Sequence, residues 1–159
     1  VKKIWAPWRM EYIQVANKGD NGCFLCEKAL ESKDKDNYII HRGKYNFVLL
    51  NAYPYNTGHL MVVPYRHGGD MNDLTKDEMA DLLKIVSKSL GALKKALGAQ
   101  GFNIGMNIGK VAGAGLADHL HTHIVPRWEG DTNYMPVIAD IKVVPEGLKV
   151  TYNKLKSHF

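Results

Sequence analysis

Histidine recurs at every second position in His119-Leu-His121-Thr-His123-Ile-Val-Pro-Arg127. On an extended strand, alternate side chains share a face. The three imidazoles would then stand together, with Leu120, Thr122 and Ile124 turned toward a core. Three of the chain's seven histidines in one short run is not what a random solvated surface supplies. Two chemistries suit the row. An imidazole whose far nitrogen is held by a partner keeps one tautomer and presents a lone pair, which makes it a nucleophile. Alternating histidines on a strand can instead hold a catalytic zinc ion. Spacing alone leaves both open.

Two further groups could do chemistry. Cys23 and Cys26 are spaced Cys-x-x-Cys. A disulfide across so short a loop constrains the unfolded chain little, so a metal knuckle or a redox pair is the better reading. The segment Lys110–Asp118, just before the histidine row, is a loop with close glycines at 109, 113 and 115. Gly113, Ala114 and Gly115 leave backbone N–H groups unshielded, which suits phosphate oxygens as well as it suits a tight turn.

Elements must bring these groups together. Tyr38–His41 and Asn46–Leu50 are β-branched or aromatic runs divided by Arg42-Gly43-Lys44, which predicts a hairpin. Asn51–Gly58 is a loop, and Gly58–Val63 a strand stopped by Pro64. Thr75-Lys-Asp-Glu78 is a capping-box sequence. Met79, Leu82, Leu83, Val86, Leu90, Leu93 and Leu97 follow at helical spacing, and Gly98 is a suitable stop. Phe102–Ile108 and His119–Val125 read as strands, the second ended by Pro126. Cys23–Leu30 and Glu146–His158 are candidate short helices. Short links between strands predict an α+β fold, an antiparallel sheet of about five strands with one long helix packed on it. The 159 residues suit one domain, with a knuckle segment at about 20–30 and a C-terminal tail at about 137–159.

Composition narrows the partners. The formal charge is +5, which favours an anionic ligand. No basic run is interleaved with aromatics, which argues against nucleic acid as a partner. The longest apolar runs are strand-sized, which argues against a membrane span, and no secretory signal is recognised, so the cytoplasm is the expected compartment.

The run His119-Leu-His-Thr-His-Ile-Val resembles the signature of the histidine triad (HIT) superfamily, in which histidines alternate with apolar residues. Thr122 is the one departure. Asn51 followed by Gly58-His59 resembles that superfamily's ribose-binding segment. Trp5-Ala-Pro-Trp8-Arg9, residues 51–67 and residues 118–136 look nearer still to bacterial triad proteins acting on diadenosine tetraphosphate as phosphorylases or hydrolases. The resemblance implies that His121 is the nucleophile, that His123 meets phosphate oxygens with its charge, and that His59 supports the triad. It implies that Asn51 bonds the ribose and that Asn107 stands near a phosphate-binding position, although the loop here is one residue longer. Gly115-Leu-Ala-Asp118 stands where relatives carry hydroxyl or glutamine side chains, so amides at Gly113 and Gly115 would bind phosphate.

The resemblance also implies a structural zinc ion on Cys23, Cys26, His67 and His119, magnesium arriving with the substrate, and a homodimer. The implied activity is cleavage of a dinucleoside polyphosphate, by hydrolysis or phosphorolysis. The competing readings are a purine nucleotide-binding protein with phosphoramidase activity, a metal-dependent hydrolase using all three histidines, and a nucleic-acid binder. Trp128 is expected to pack, His41 and His158 to be exposed, and Asp118 has no assigned role.

Overall fold

The computed structural model describes residues 22–132 and 144–159. The aromatic cluster at 5–9 and the start of the predicted tail lie outside the described residues. Five strands, β1 (Ile39–Arg42), β2 (Asn46–Leu50), β3 (Leu60–Pro64), β4 (Gly101–Met106) and β5 (Thr122–Arg127), form one sheet. Every pairing is antiparallel, in the order β1-β2-β3-β5-β4. The described helices are α1 (Phe24–Leu30), α2 (Lys76–Leu97) and α3 (Leu148–Lys156). The α+β expectation matches this architecture.

β2 and β3 are buried along their whole length. Covering both faces removes the polar alternation of a half-exposed strand, which is why these segments read as continuous apolar runs. On one face, Val48, Leu50, Leu60, Val62 and Ile124 meet Leu82, Ile85, Val86 and Leu93 of α2. On the other, Phe47, Leu49, Met61 and Val63 meet Leu25 of α1. α3 adds Tyr152 and Leu155 to the first core, so the predicted tail is partly a packed helix.

α2 begins as its sequence predicts. Thr75 Oγ1 accepts from the Glu78 N–H at 3.3 Å, and Glu78 Oε2 accepts from the Thr75 N–H at 2.7 Å. Gly98 closes it in the left-handed region at φ 62°. One predicted core residue differs: Leu83 is 68% exposed, and Ile85 and Ser89 take the buried stripe instead. Leu83 follows Leu82 by about 100° of helix rotation, enough to leave a stripe centred on 82, 86, 89 and 93.

β5 also departs from its predicted bounds. It starts at Thr122 and runs through Pro126. Pro126 faces Phe102 of β4 on one side, while pairing with β3 has already ended at Leu60↔Ile124. Its missing N–H therefore costs the sheet no ladder bond. At the other end, β3 finishes in Pro64, which has no N–H to offer. Residues 119–121 leave the ladder there, and the Leu120 N–H donates to Gly68 O at 2.7 Å.

Candidate active site and metal centre

Pairing of Met61 with His123 and of Leu60 with Ile124 puts His123 on the α1 side of the sheet and Ile124 on the α2 side. Leu120 also lies in the α2-side core. The predicted split of the row into a histidine face and an apolar face thus persists although part of the row is outside the strand.

Each histidine has one nitrogen fixed by a partner whose role is not in doubt, and that settles the other nitrogen. The Pro64 carbonyl can only accept, so His119 Nε2–H donates to it at 2.8 Å and His119 Nδ1 carries the lone pair. The His119 carbonyl likewise accepts from His121 Nδ1–H at 2.8 Å, leaving the lone pair on His121 Nε2. The Tyr55 N–H can only donate, so His59 Nδ1 accepts at 3.1 Å. Neutral His59 then donates Nε2–H to His123 Nδ1 at 2.9 Å, and His123 presents Nε2–H outward.

Burial explains why these rings are neutral. His59 is fully buried, and burial together with His123 and His121 pushes it down to about 3. Burial, then His121, pushes His123 to about 4. His121 is lowered by burial, partly offset by its bond to the His119 carbonyl. Burial thus favours the neutral ring of His123, which offers Nε2–H as a hydrogen-bond donor.

The loop 51–59 carries more than the sequence reading assigned. Asn51 Oδ1 accepts from the Tyr53 N–H at 2.9 Å, and its Nδ2 lies 3.4 Å from His59 Nδ1. Gly58 has φ 76°, and a Cβ there would stand 2.6 Å from Leu97 Cδ1, so any side chain before His59 would be strained and would have to displace Leu97. Asn56 Nδ2 donates to Pro126 O and to Asp131 Oδ2, both at 2.9 Å, tying the loop to the end of β5. Arg127 grips the same Asp131 carboxylate through two nitrogens. Tyr55 was also missed: its ring lies 4.6 Å from that of His59 and 5.8 Å from that of His123. The signal was the Tyr55-x-x-x-His59 spacing inside a predicted loop, which has no periodicity to read.

Asn107 directly follows the last β4–β5 pair, Met106↔Thr122, as His121 directly precedes it, so both stand where the ladder ends. The glycine loop differs from expectation. The Gly113 N–H donates to Lys110 O at 3.0 Å and the Ala114 N–H to Gly109 O at 3.4 Å, closing a 3-10 turn. Gly113 serves by its φ of 89° rather than by an open amide. The Gly115 N–H has no backbone acceptor among the described residues. Gly69 lets this loop lie close, because a Cβ there would stand 2.3 Å from Ala117 O.

The second centre is built from Cys23 and Cys26 around α1, His67 after β3, and His119. His119 Nδ1 lies 3.2 Å from Cys23 Sγ and 3.4 Å from Cys26 Sγ, and His67 Nδ1 lies 3.5 Å from Cys26 Sγ. All four donor atoms fall within 4.8 Å of one another. Tetrahedral coordination places such sulfur and nitrogen donors about 3.5 Å apart, so the set fits a metal ion. Burial, then Cys23 and Glu27, pushes the Cys26 thiol up to about 11. A bound cation would reverse that preference, because thiolate is the ligand form. Among the described residues no other cluster of His, Cys or carboxylate groups is placed to hold an ion.

Trp128 packs against the α2-side core and donates Nε1–H to Leu97 O at 3.2 Å, as expected. His41 is half-buried rather than exposed, its ring 5.5 Å from that of Phe159. His158 and Asp118 are exposed.

Residues 32–130 match the family model described as the HIT domain. The chain belongs to the HIT domain family. Over 165 aligned residues it is 38% identical to the AP-4-A phosphorylase of Mycobacterium tuberculosis, covering all of this chain and 85% of that protein. It is 34% identical over 93 residues to the asymmetrical bis(5'-nucleosyl)-tetraphosphatase of Schizosaccharomyces pombe, covering 58% of this chain and 50% of that one. Its fold superposes with a TM-score of 0.68 on a zinc-bound histidine triad family protein from Mycobacterium smegmatis, 25% identical, over 86% of this chain and 92% of that one.

Proposed function

We propose that this chain cleaves dinucleoside polyphosphates of the diadenosine tetraphosphate type through a nucleotidyl-His121 intermediate. One observation carries the reading: the 2.8 Å bond from His121 Nδ1–H to the His119 carbonyl leaves Nε2 with its lone pair and no metal role. Nε2 attacks the α-phosphorus, an N–P bond forms, and the P–O bond to the remaining polyphosphate breaks. His123 Nε2–H bonds a phosphate oxygen as charge develops, with the Gly115 amide as a second donor. Asn51 takes the ribose hydroxyls, and Asn107 stands on the phosphate side. His59 holds His123 in the donor tautomer. An acceptor then attacks phosphorus, the N–P bond breaks, and its electron pair returns to Nε2.

The names of the two relatives support this substrate class, and that of the mycobacterial relative favours phosphate as acceptor. Incubation with diadenosine tetraphosphate, with and without phosphate, tests it. ADP plus ATP marks phosphorolysis and AMP plus ATP marks hydrolysis. Preference for adenosine phosphoramidates over diadenosine tetraphosphate would replace the reading with a phosphoramidase.

The metal centre is assigned to zinc, on its two sulfur and two nitrogen donors and on the zinc-bound mycobacterial neighbour. Zinc on Cys23, Cys26, His67 and His119 would fix the knuckle against the histidine row and leave His121 free. Any magnesium would come with the polyphosphate. The chain works as one domain. It pairs as a homodimer through β4, whose outer edge is unpaired among the described residues and which, with the segment after it, exposes Ile104, Ile108 and Val111.

A further inference from the structure

We infer that Arg42 is a positioning residue for the metal centre, its guanidinium holding the end of α1 so that Cys23 and Cys26 stay aimed at His67 and His119; this rests on the zinc reading above. The cysteines need holding. α1 has seven residues, too few for a helix to be stable unaided. Cys23 sits at its N-cap without a side-chain cap bond, and Leu25 is its one buried residue. Cys26 lies in the helix itself, its Sγ 3.4 Å from His119 Nδ1 and 3.5 Å from His67 Nδ1. With Leu25 as the only anchor, α1 could turn about that side chain and carry its sulfur off the histidines.

Arg42, the last residue of β1, supplies a second anchor. A helix ends in carbonyls that have no partner inside it. Here Glu27 O accepts from the Glu31 N–H at 3.1 Å. Three others accept from Arg42: Nη1–H donates to Ala29 O at 2.6 Å, and Nη2–H to Glu31 O at 2.7 Å and to Lys28 O at 3.3 Å. The Arg42 Nε–H donates to Asp34 Oδ1 at 2.9 Å, which fixes the plane of the fork. A planar guanidinium can span several carbonyls at once, whereas an ammonium is a point charge on a flexible stem. Arg42 pairs with Phe47 of β2, and Phe47 belongs to the core that receives Leu25, so both anchors tie α1 to the same pair of strands. Pro64 O fixes His119; Arg42 fixes the half of the donor set that comes from α1.

The test is zinc affinity, read apart from activity. Protein stripped of metal is titrated with zinc in competition with a chromophoric chelator. Arg42→Ala should bind zinc about tenfold or more weakly than wild type, the lower end of what outer partners of metal ligands contribute. Arg42→Lys keeps the charge but not the fork, and should stay near Arg42→Ala. Thr75→Ala removes a cap of α2 and touches none of the four donors; it controls for a general loss of stability and should bind as wild type does. Wild-type affinity in Arg42→Ala, full affinity in Arg42→Lys, or an equal loss in Thr75→Ala would each overturn the inference. Should Arg42→Ala fail to fold, Arg42→Lys decides in the same titration. A wild type that takes up no zinc counts against the zinc assignment itself, whereas equal uptake by wild type and both Arg42 variants counts against Arg42 alone.

Discussion

Three imidazoles of identical chemistry end in three states because each is held differently: His119 donates from Nε2, His121 donates from Nδ1 and His123 accepts at Nδ1. A backbone carbonyl holds His119 so that Nδ1 faces two sulfurs, and another holds His121 so that Nε2 stays bare. A ring nitrogen of His59 holds His123 so that it donates. His121→Ala should lower kcat/KM for diadenosine tetraphosphate by about a thousandfold or more and abolish the adduct, since it removes the attacking atom. His119→Ala keeps the carbonyl that orients His121 and removes the metal donor together with the hydrogen bond to Pro64 O. A loss nearer the 10- to 100-fold range of supporting ligand-shell changes is expected. Steady-state kinetics on both variants, with metal content by atomic emission, separates them.

The buried rings also set a pH dependence of folding. His59 is pushed down to about 3 and His123 to about 4, whereas in the unfolded chain both titrate near 6.5. Below 6.5 the unfolded chain binds protons that the fold refuses, so stability falls as pH drops and is fully present only above that value. The slope should approach about 1.4 kcal/mol per pH unit for the fully buried His59, and less for the partly exposed His123. Urea unfolding at pH 7, 6 and 5 checks this, and His59→Phe should flatten the curve.

At the scale of elements, α2 is the segment whose chemistry is most local. Thr75→Ala removes a cap and should cost about 1 kcal/mol in urea unfolding without changing kinetics. That locality is also why α2 could be read from sequence: cap, stripe and stop all lie within one stretch. The histidine face was legible for the same reason, being a period-two pattern. Less legible were Leu83 and the true bounds of β5. Leu83 is apolar like its neighbours, and only the fit of α2 to the sheet turns it outward. The start of β5 depends on Pro64, fifty-eight residues earlier than Thr122, having no N–H to share. The Gly113 amide and the Tyr55 ring were missed because both lie in loops, where even contacts three or four residues apart leave no periodic pattern to read.

At the scale of the molecule, the sheet has two edges, and they differ. β1 is covered by contacts from α3, while β4 offers an edge that is unpaired among the described residues, with Ile104 49% exposed. Ile104→Lys should convert the proposed dimer to a monomer in sedimentation equilibrium, because a lysine on such an edge opposes strand addition. Removal of metal from the four-donor cluster should lower the melting temperature, and Cys26→Ser should abolish that response to chelator.

The short turn from Pro64 to Gly68 touches everything near the proposed nucleophile. Pro64 O accepts a hydrogen bond from His119 Nε2–H, His67 faces the Cys26 thiol, and Gly68 O accepts from the Leu120 N–H. It works as a ruler: three attachment points on five consecutive residues fix how far the histidine row can slide. Lengthening it by one residue would leave each cap, strand and helix with its own bonds, yet the row could meet only some of those points at once. Enzymes diverging from this chain could therefore tolerate length changes in many surface loops, but this one segment has a size imposed by chemistry on both of its flanks.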